Sequence, residues 1–109
     1  MSDTAGQIET TFAQLPERLN PTAAQGLDAV IQFDLSGEGG GQYYAIIANG
    51  ACEVNEGRHD SPTMTVSMAG SDFVDLIQSR LDGMSAFMSG RLRVSGDMGL
   101  AMKLQSLFA

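Results

Sequence analysis

Tryptophan is absent from these 109 residues, cysteine and histidine occur once each, and six Lys and Arg face thirteen Asp and Glu. Each scarcity removes a class of function. A lone cysteine, Cys52, permits no internal disulfide and no cysteine metal cluster, which fits a reducing compartment or indifference to redox state. A lone histidine, His59, leaves a histidine-based zinc site short of ligands. A formal charge of −7 and a pI near 4.3 repel nucleic-acid phosphates. They also leave no basic patch for docking on anionic membranes. Unbroken aliphatic runs stay short, as at 45–48, far below the length that spans a bilayer. The polar opening Met1-Ser2-Asp3-Thr4-Ala5-Gly6-Gln7 is not a secretory signal, and Leu107-Phe108-Ala109 is no peroxisomal address. These absences predict a soluble cytoplasmic protein with no nucleic-acid partner and no stable membrane insertion.

What is present suffices for a core. With 43% hydrophobic residues, one domain over 1–109 is expected. Ile8, Phe12, Leu15 and Leu19 recur at helical spacing, and Pro16 should end that helix near Leu15. Asn20-Pro21 reads as a cap and first residue of a short helix over 21–25, stopped by Gly26. Over 27–35 the pattern alternates, with Ile31, Phe33 and Leu35 on one face and Gln32 and Asp34 on a wet one. The glycine-rich 36–41 is a flexible connection. A second strand over 43–48 turns at Asn49-Gly50, a strong hairpin signal, into a third over 51–55 with Cys52 and Val54 inward.

A fourth strand over 63–68 follows a polar loop and points Met64, Val66 and Met68 one way. Ser71 should cap a helix bearing Phe73, Val74, Leu76, Ile77 and Leu81, ended by Asp82-Gly83. A helical turn over 84–89, a fifth strand over 91–95 and a closing helix capped by Asp97 complete the chain. The closing helix is apolar over a wide arc. Met98, Ala101, Met102 and Gln105 form one stripe; Leu100, Leu104, Leu107 and Phe108 form the next. Alternating strands leave one sheet face covered and one in water, which predicts an α+β two-layer domain of about five strands and four or five helices.

Reactive chemistry finds little support. His59 lies in the polar loop Gly57-Arg58-His59-Asp60-Ser61, and a neighbouring carboxylate on the same loop seldom orients an imidazole toward a nucleophile. Cys52 sits mid-strand at an apolar position with no evident base or helix N-terminus to activate it. Glu53 with Glu56, or Asp72 with Asp75, would need one buried member to act as an acid/base pair, and their positions suit solvated charge. At Gly96-Asp97-Met98-Gly99 the Asp97 carboxylate would itself fill an anion site at the helix start. The unusual feature is methionine: six of seven lie from Met64 onward, namely Met64, Met68, Met84, Met88, Met98 and Met102. Methionine fills core gaps, and it also lines surfaces that adapt to varied apolar ligands. With the wide apolar helix it suggests a greasy pocket in which Gln105 would orient the ligand.

Several stretches resemble the sterol carrier protein-2 domain family. They are Thr63-Met64-Thr65-Val66-Ser67-Met68, Ser71-Asp72-Phe73, Ser85-Ala86-Phe87, and the run from Gly90 to Gln105 that closes Met98-Gly99-Leu100-Ala101-Met102-Lys103-Leu104-Gln105. The resemblance covers roughly 27–107. It implies a five-stranded mixed sheet covered on one face by four or five helices, with a hydrophobic tunnel between. It implies binding of sterols, fatty acids, fatty acyl-CoA or phospholipids without transformation, no cofactor, and in some bacterial relatives an accessory role in ubiquinone synthesis. It places Phe87, Met88, Met98, Met102, Leu104 and Gln105 at or near the tunnel wall. The wider candidate ligand-binding set adds Phe33, Met68, Phe73, Ile77 and Met84, with Leu92, Ala101 and Phe108. Without a peroxisomal ending, the resemblance implies a bacterial, free-standing form.

The expected function is therefore passive: a lipid or fatty-acyl ligand leaves water for a dry cavity, for transfer or presentation to a lipid-metabolising enzyme. Two rivals come from other classes. One is an interaction module whose groove holds an apolar partner segment. The other is a small hydrolase or thioesterase using Cys52 or His59.

Overall fold

Four apolar rows across a five-stranded sheet decide where the core sits. The computed structural model describes residues 4–37, 39–78 and 80–108, apart from the side chains of Thr4, Met102, Leu104 and Gln105. The elements run α1 (Thr4–Arg18), β1 (Ala29–Ser36), β2 (Gly41–Ala48), β3 (Ala51–Glu56), β4 (Met64–Ala69), α2 (Gly70–Ile77), α3 (Gly83–Met88), β5 (Leu92–Gly96) and α4 (Met98–Phe108). The strand order is β3-β2-β1-β4-β5. β1 and β4 run parallel, and the other three neighbours pair antiparallel, so the sheet is mixed. The register aligns Phe33 with Tyr43 on one side and Val66 on the other, then Val66 with Val94. One row along, Leu35, Met68 and Leu92 align. These inward residues are buried or packed against the core, and the helices cover them.

The β2–β3 hairpin turns where Asn49 and Gly50 both take positive φ, 54° and 75°, the turn that matches the twist of the flanking strands. Asp97 caps α4 as expected: its carboxylate accepts from the Leu100 N–H at 3.1 Å. Gly96 just before it has φ 102°, and a Cβ there would lie 2.6 Å from the Thr63 carbonyl oxygen, so the chain leaves β5 by a bend only glycine makes easily.

Four local expectations need correction. Pro16 lies inside α1, which continues to Arg18. It falls in the last turn and on the exposed side, where a missing N–H costs one bond, while buried Leu15 and Leu19 hold the helix down. Residues 21–26 form turns and no α-helix, although Asn20 does cap them, accepting from the Thr22 and Ala23 N–H groups. The N-cap of α2 is Ala69 without a side-chain hydrogen bond, so Ser71 is already inside the helix. That helix stops at Ile77, short of Leu81, and Asp82 serves as the cap of α3.

The far sheet face is less wet than alternation suggests. Gln32 is buried: its amide donates to the Tyr43 and Gly57 carbonyls, and its oxygen accepts from the His59 N–H at 2.8 Å. One side chain thus fastens the β3–β4 loop over the sheet. The end of α1 ties the helices together, with Asn20 N–H donating to the Leu107 carbonyl and Arg18 to the Ile77 carbonyl. Among the described residues no helix is long and apolar enough to cross a membrane.

Candidate functional site

Ten of the fourteen candidate residues fall into two groups. Phe33, Phe73, Met68, Ile77, Leu92 and Phe108 are buried. Phe33 and Phe73 meet at 5.2 Å, and Phe12 stacks on Phe73 at 4.6 Å and on Tyr43 at 4.0 Å. Such ring contacts add about 0.5–1.5 kcal/mol each beyond area burial, so this group is a packed floor. The second group is uncovered. Met84 is 49% exposed, Phe87 44%, Met88 80% and Met98 48%. Met84, Phe87 and Met88 stand three and four residues apart on α3, on the side opposite buried Ala86. Ala101 is half-buried and rests against the core. Met102, Leu104 and Gln105 belong to α4, and their side chains lie outside the described residues. The expected tunnel wall depends on them.

The geometry around α3 is stiffened at both ends. The Asp82 carboxylate accepts from the Ser85 N–H at 2.9 Å. Past α3, the Arg91 guanidinium donates to both Asp72 oxygens, at 2.6 and 3.3 Å, joining the first turn of α2 to the entrance of β5. Asp72 holds Arg91 and Asp75 holds Arg80, so these carboxylates serve separate ion pairs.

Burial pushes the Cys52 thiol up to about 11, which suppresses the thiolate a nucleophile requires. The Nδ1 of His59 accepts from the Ser61 N–H at 3.0 Å, while the ring edge meets Tyr44. That engages the imidazole within its own loop. Among the described residues no group of three or more His, Cys, Asp or Glu is arranged to hold a metal ion. On the far face, a cleft of about 490 Å³ is lined by Asp34, Ser67, Arg91 and Arg93. One Asp34 oxygen there is buried and has no hydrogen-bond partner among the described residues, and Arg58 reaches the other only at 3.9 Å.

A mixed sheet of this order, with helices packed on it and apolar side chains exposed on the last two helices, defines a small α+β domain. The chain belongs to the SCP-2 sterol transfer family, whose family model matches residues 8–109. It is 36% identical over 103 residues to the hydroxysteroid dehydrogenase-like protein 2 of Mus musculus, covering 94% of this chain and 21% of that protein. The chain thus spans about a fifth of the length of that curated relative. Among solved structures it is similar to palmitated SCP2L2 from Aedes aegypti, with TM-score 0.73, 25% identity, and coverage of 99% and 95% of the two chains. It also shares its fold with the UbiJ-SCP2 ubiquinone synthesis protein, with TM-score 0.69, 21% identity, and coverage of 95% and 90%.

Proposed function

We propose that this domain binds hydrophobic lipids without transforming them and transfers or presents them to a lipid-metabolising enzyme. The ligand classes are fatty acids, fatty acyl-CoA, phospholipids and sterol-like or quinone-like molecules. The observation that carries this reading is the exposed stripe Met84, Phe87 and Met88 on α3, together with exposed Met98 on α4, in a chain of the SCP-2 family. The palmitated mosquito relative supports it. The driving term is apolar area removed from water, about 0.8 kcal/mol for each buried methylene. Affinity should then climb with acyl chain length and depend little on the head group. Non-catalytic action agrees with a protonated Cys52 and an engaged His59.

Native mass spectrometry of freshly purified protein tests the reading, with co-purified lipid as the expected result. Displacement of a fluorescent fatty acid by unlabelled acids of increasing length should show rising affinity. A clean apo mass together with no fluorescent-acid binding would overturn it. The similarity to the UbiJ-SCP2 protein favours a second reading, an accessory factor that docks an apolar segment of a biosynthetic enzyme. That reading predicts capture of such an enzyme by lipid-free protein.

A further inference from the structure

We infer that the cleft between α1 and β3 is a separate binding site for a small amphipathic cation, an apolar body carrying an ammonium group. The cleft has a volume of about 490 Å³ and lies against a different edge of the core from α3. From α1 it is lined by Glu9, Phe12, Ala13 and Pro16. These stand at i, i+3, i+4 and i+7, one continuous stripe along the border of the buried helix face. The opposite wall holds Tyr43 and Glu56, which face each other in the β2–β3 register. Tyr43 stacks on Phe12 with ring centroids 4.0 Å apart, which gives the cleft an aromatic base.

Charge selects the sign of the ligand. Glu9 and Glu56 are exposed, and among the described residues neither has an ion-pair or hydrogen-bond partner. Burial raises the Tyr43 hydroxyl above its ordinary value, and Glu56 and then Glu9 raise it further. Both carboxylates therefore act on the same phenol from opposite walls. The wider field agrees: eleven of the thirteen carboxylates precede residue 80, against Arg18 and Arg58 alone. A fatty acid would be repelled here, whereas an ammonium group gains two carboxylates and a tyrosine ring. The site thus asks for a chemistry opposite in charge to the acyl ligands proposed for the α3–α4 face.

The test uses 4-phenylbutylammonium and its neutral analogue 4-phenylbutanol, followed by amide NMR shifts on the whole chain. Saturable shifts at Ala13, Tyr43 and Val54 are expected for the cation, with the alcohol binding about tenfold more weakly. The Glu9→Gln and Glu56→Gln double variant should fold normally, lose that preference and keep any fatty-acid binding. Added salt should narrow the gap between the two probes. Equal affinity for the two probes, no saturable shift at these residues, or shifts confined to α3 and α4 would overturn the inference. Because fatty acid is measured on the same samples, loss of the lipid reading and loss of this one are read separately.

Discussion

Phe33 and Phe87 are the same side chain under opposite treatment. Phe33 is fully buried among Phe12, Phe73 and Tyr43, while Phe87 is 44% exposed on α3 with Met84 and Met88 along the same stripe. Fully burying a side chain of this kind stabilises by about 1.5–3 kcal/mol. The fold collects that stabilisation beneath the sheet and leaves part of it uncollected on α3. Three apolar residues on one helical stripe form a patch, which under the proposed function is where a ligand would add cover. The difference teaches which half of the apolar set holds the fold together and which half is spare.

The comparison breaks most visibly at Phe33. Phe33→Ala should lower stability by about 3–5 kcal/mol, because it removes a ring from a closed cluster and leaves a cavity. Urea unfolding measures this directly. A loss near 1 kcal/mol would mean the cluster is looser than its contacts indicate. Gln32→Leu tests the far face and should cost about 1–3 kcal/mol, since it strands the His59 N–H and the two carbonyls that the amide serves. If that face were simply wet, the change would be close to neutral.

Both results bear on what the amino-acid pattern could reveal. Period-two alternation depends on local spacing alone, and it located the inward faces at Ile31, Phe33 and Leu35 and at Met64, Val66 and Met68. Asn49-Gly50 and Asp97 were legible for the same reason: a turn or a cap is a matter of a few adjacent residues. Gln32 was not, because a loop twenty-five residues away covers it. Pro16 misled because a proline's effect depends on how near the helix end it falls and on which side it faces. In the candidate site, the i, i+3, i+4 spacing of Met84, Phe87 and Met88 is what sets them on one face of α3. It carries no information on whether anything covers that face, so packed Phe73 and uncovered Phe87 looked alike. The α1–β3 cleft left one trace in the sequence, the 9, 12, 13, 16 stripe, which reads as ordinary amphipathicity until β3 is seen opposite it.

A smaller effect sits at the margin of the packed half. The Cys52 thiol is raised by burial from 9.0 to about 11 in the folded chain. An acid raised in this way leaves stability intact below pH 9. Between pH 9 and 11 the unfolded chain ionises first, and stability falls. The thiol is only partly buried, so the loss should be about 1 kcal/mol. Urea midpoints taken from pH 8 to 10 should decline in the parent and flatten in Cys52→Ala. Keeping below pH 10 limits interference from Tyr43, whose own raised hydroxyl contributes with the same sign at higher pH. An equal slope in both proteins would show that Cys52 is more solvated than its place beside Ile47 suggests.

The smallest effect on stability falls where the comparison is sharpest. Phe87→Ala removes a ring about half covered and should cost no more than about 1 kcal/mol, and Met88→Ser, at a largely exposed side chain, no more than about 0.5 kcal/mol. Under the lipid reading the same substitutions should weaken fluorescent fatty-acid binding several-fold, since each withdraws apolar area that the ligand would cover. Separation of the two readouts is what matters. A core residue moves stability and binding together, because unfolded protein binds nothing. A residue held in reserve for a ligand moves binding alone. If Phe87→Ala destabilised the chain as much as Phe33→Ala does, α3 would belong to the packed half and the contrast would vanish. If neither substitution altered binding while stability stayed level, the stripe would be bare surface, and lipid would have to enter along α4.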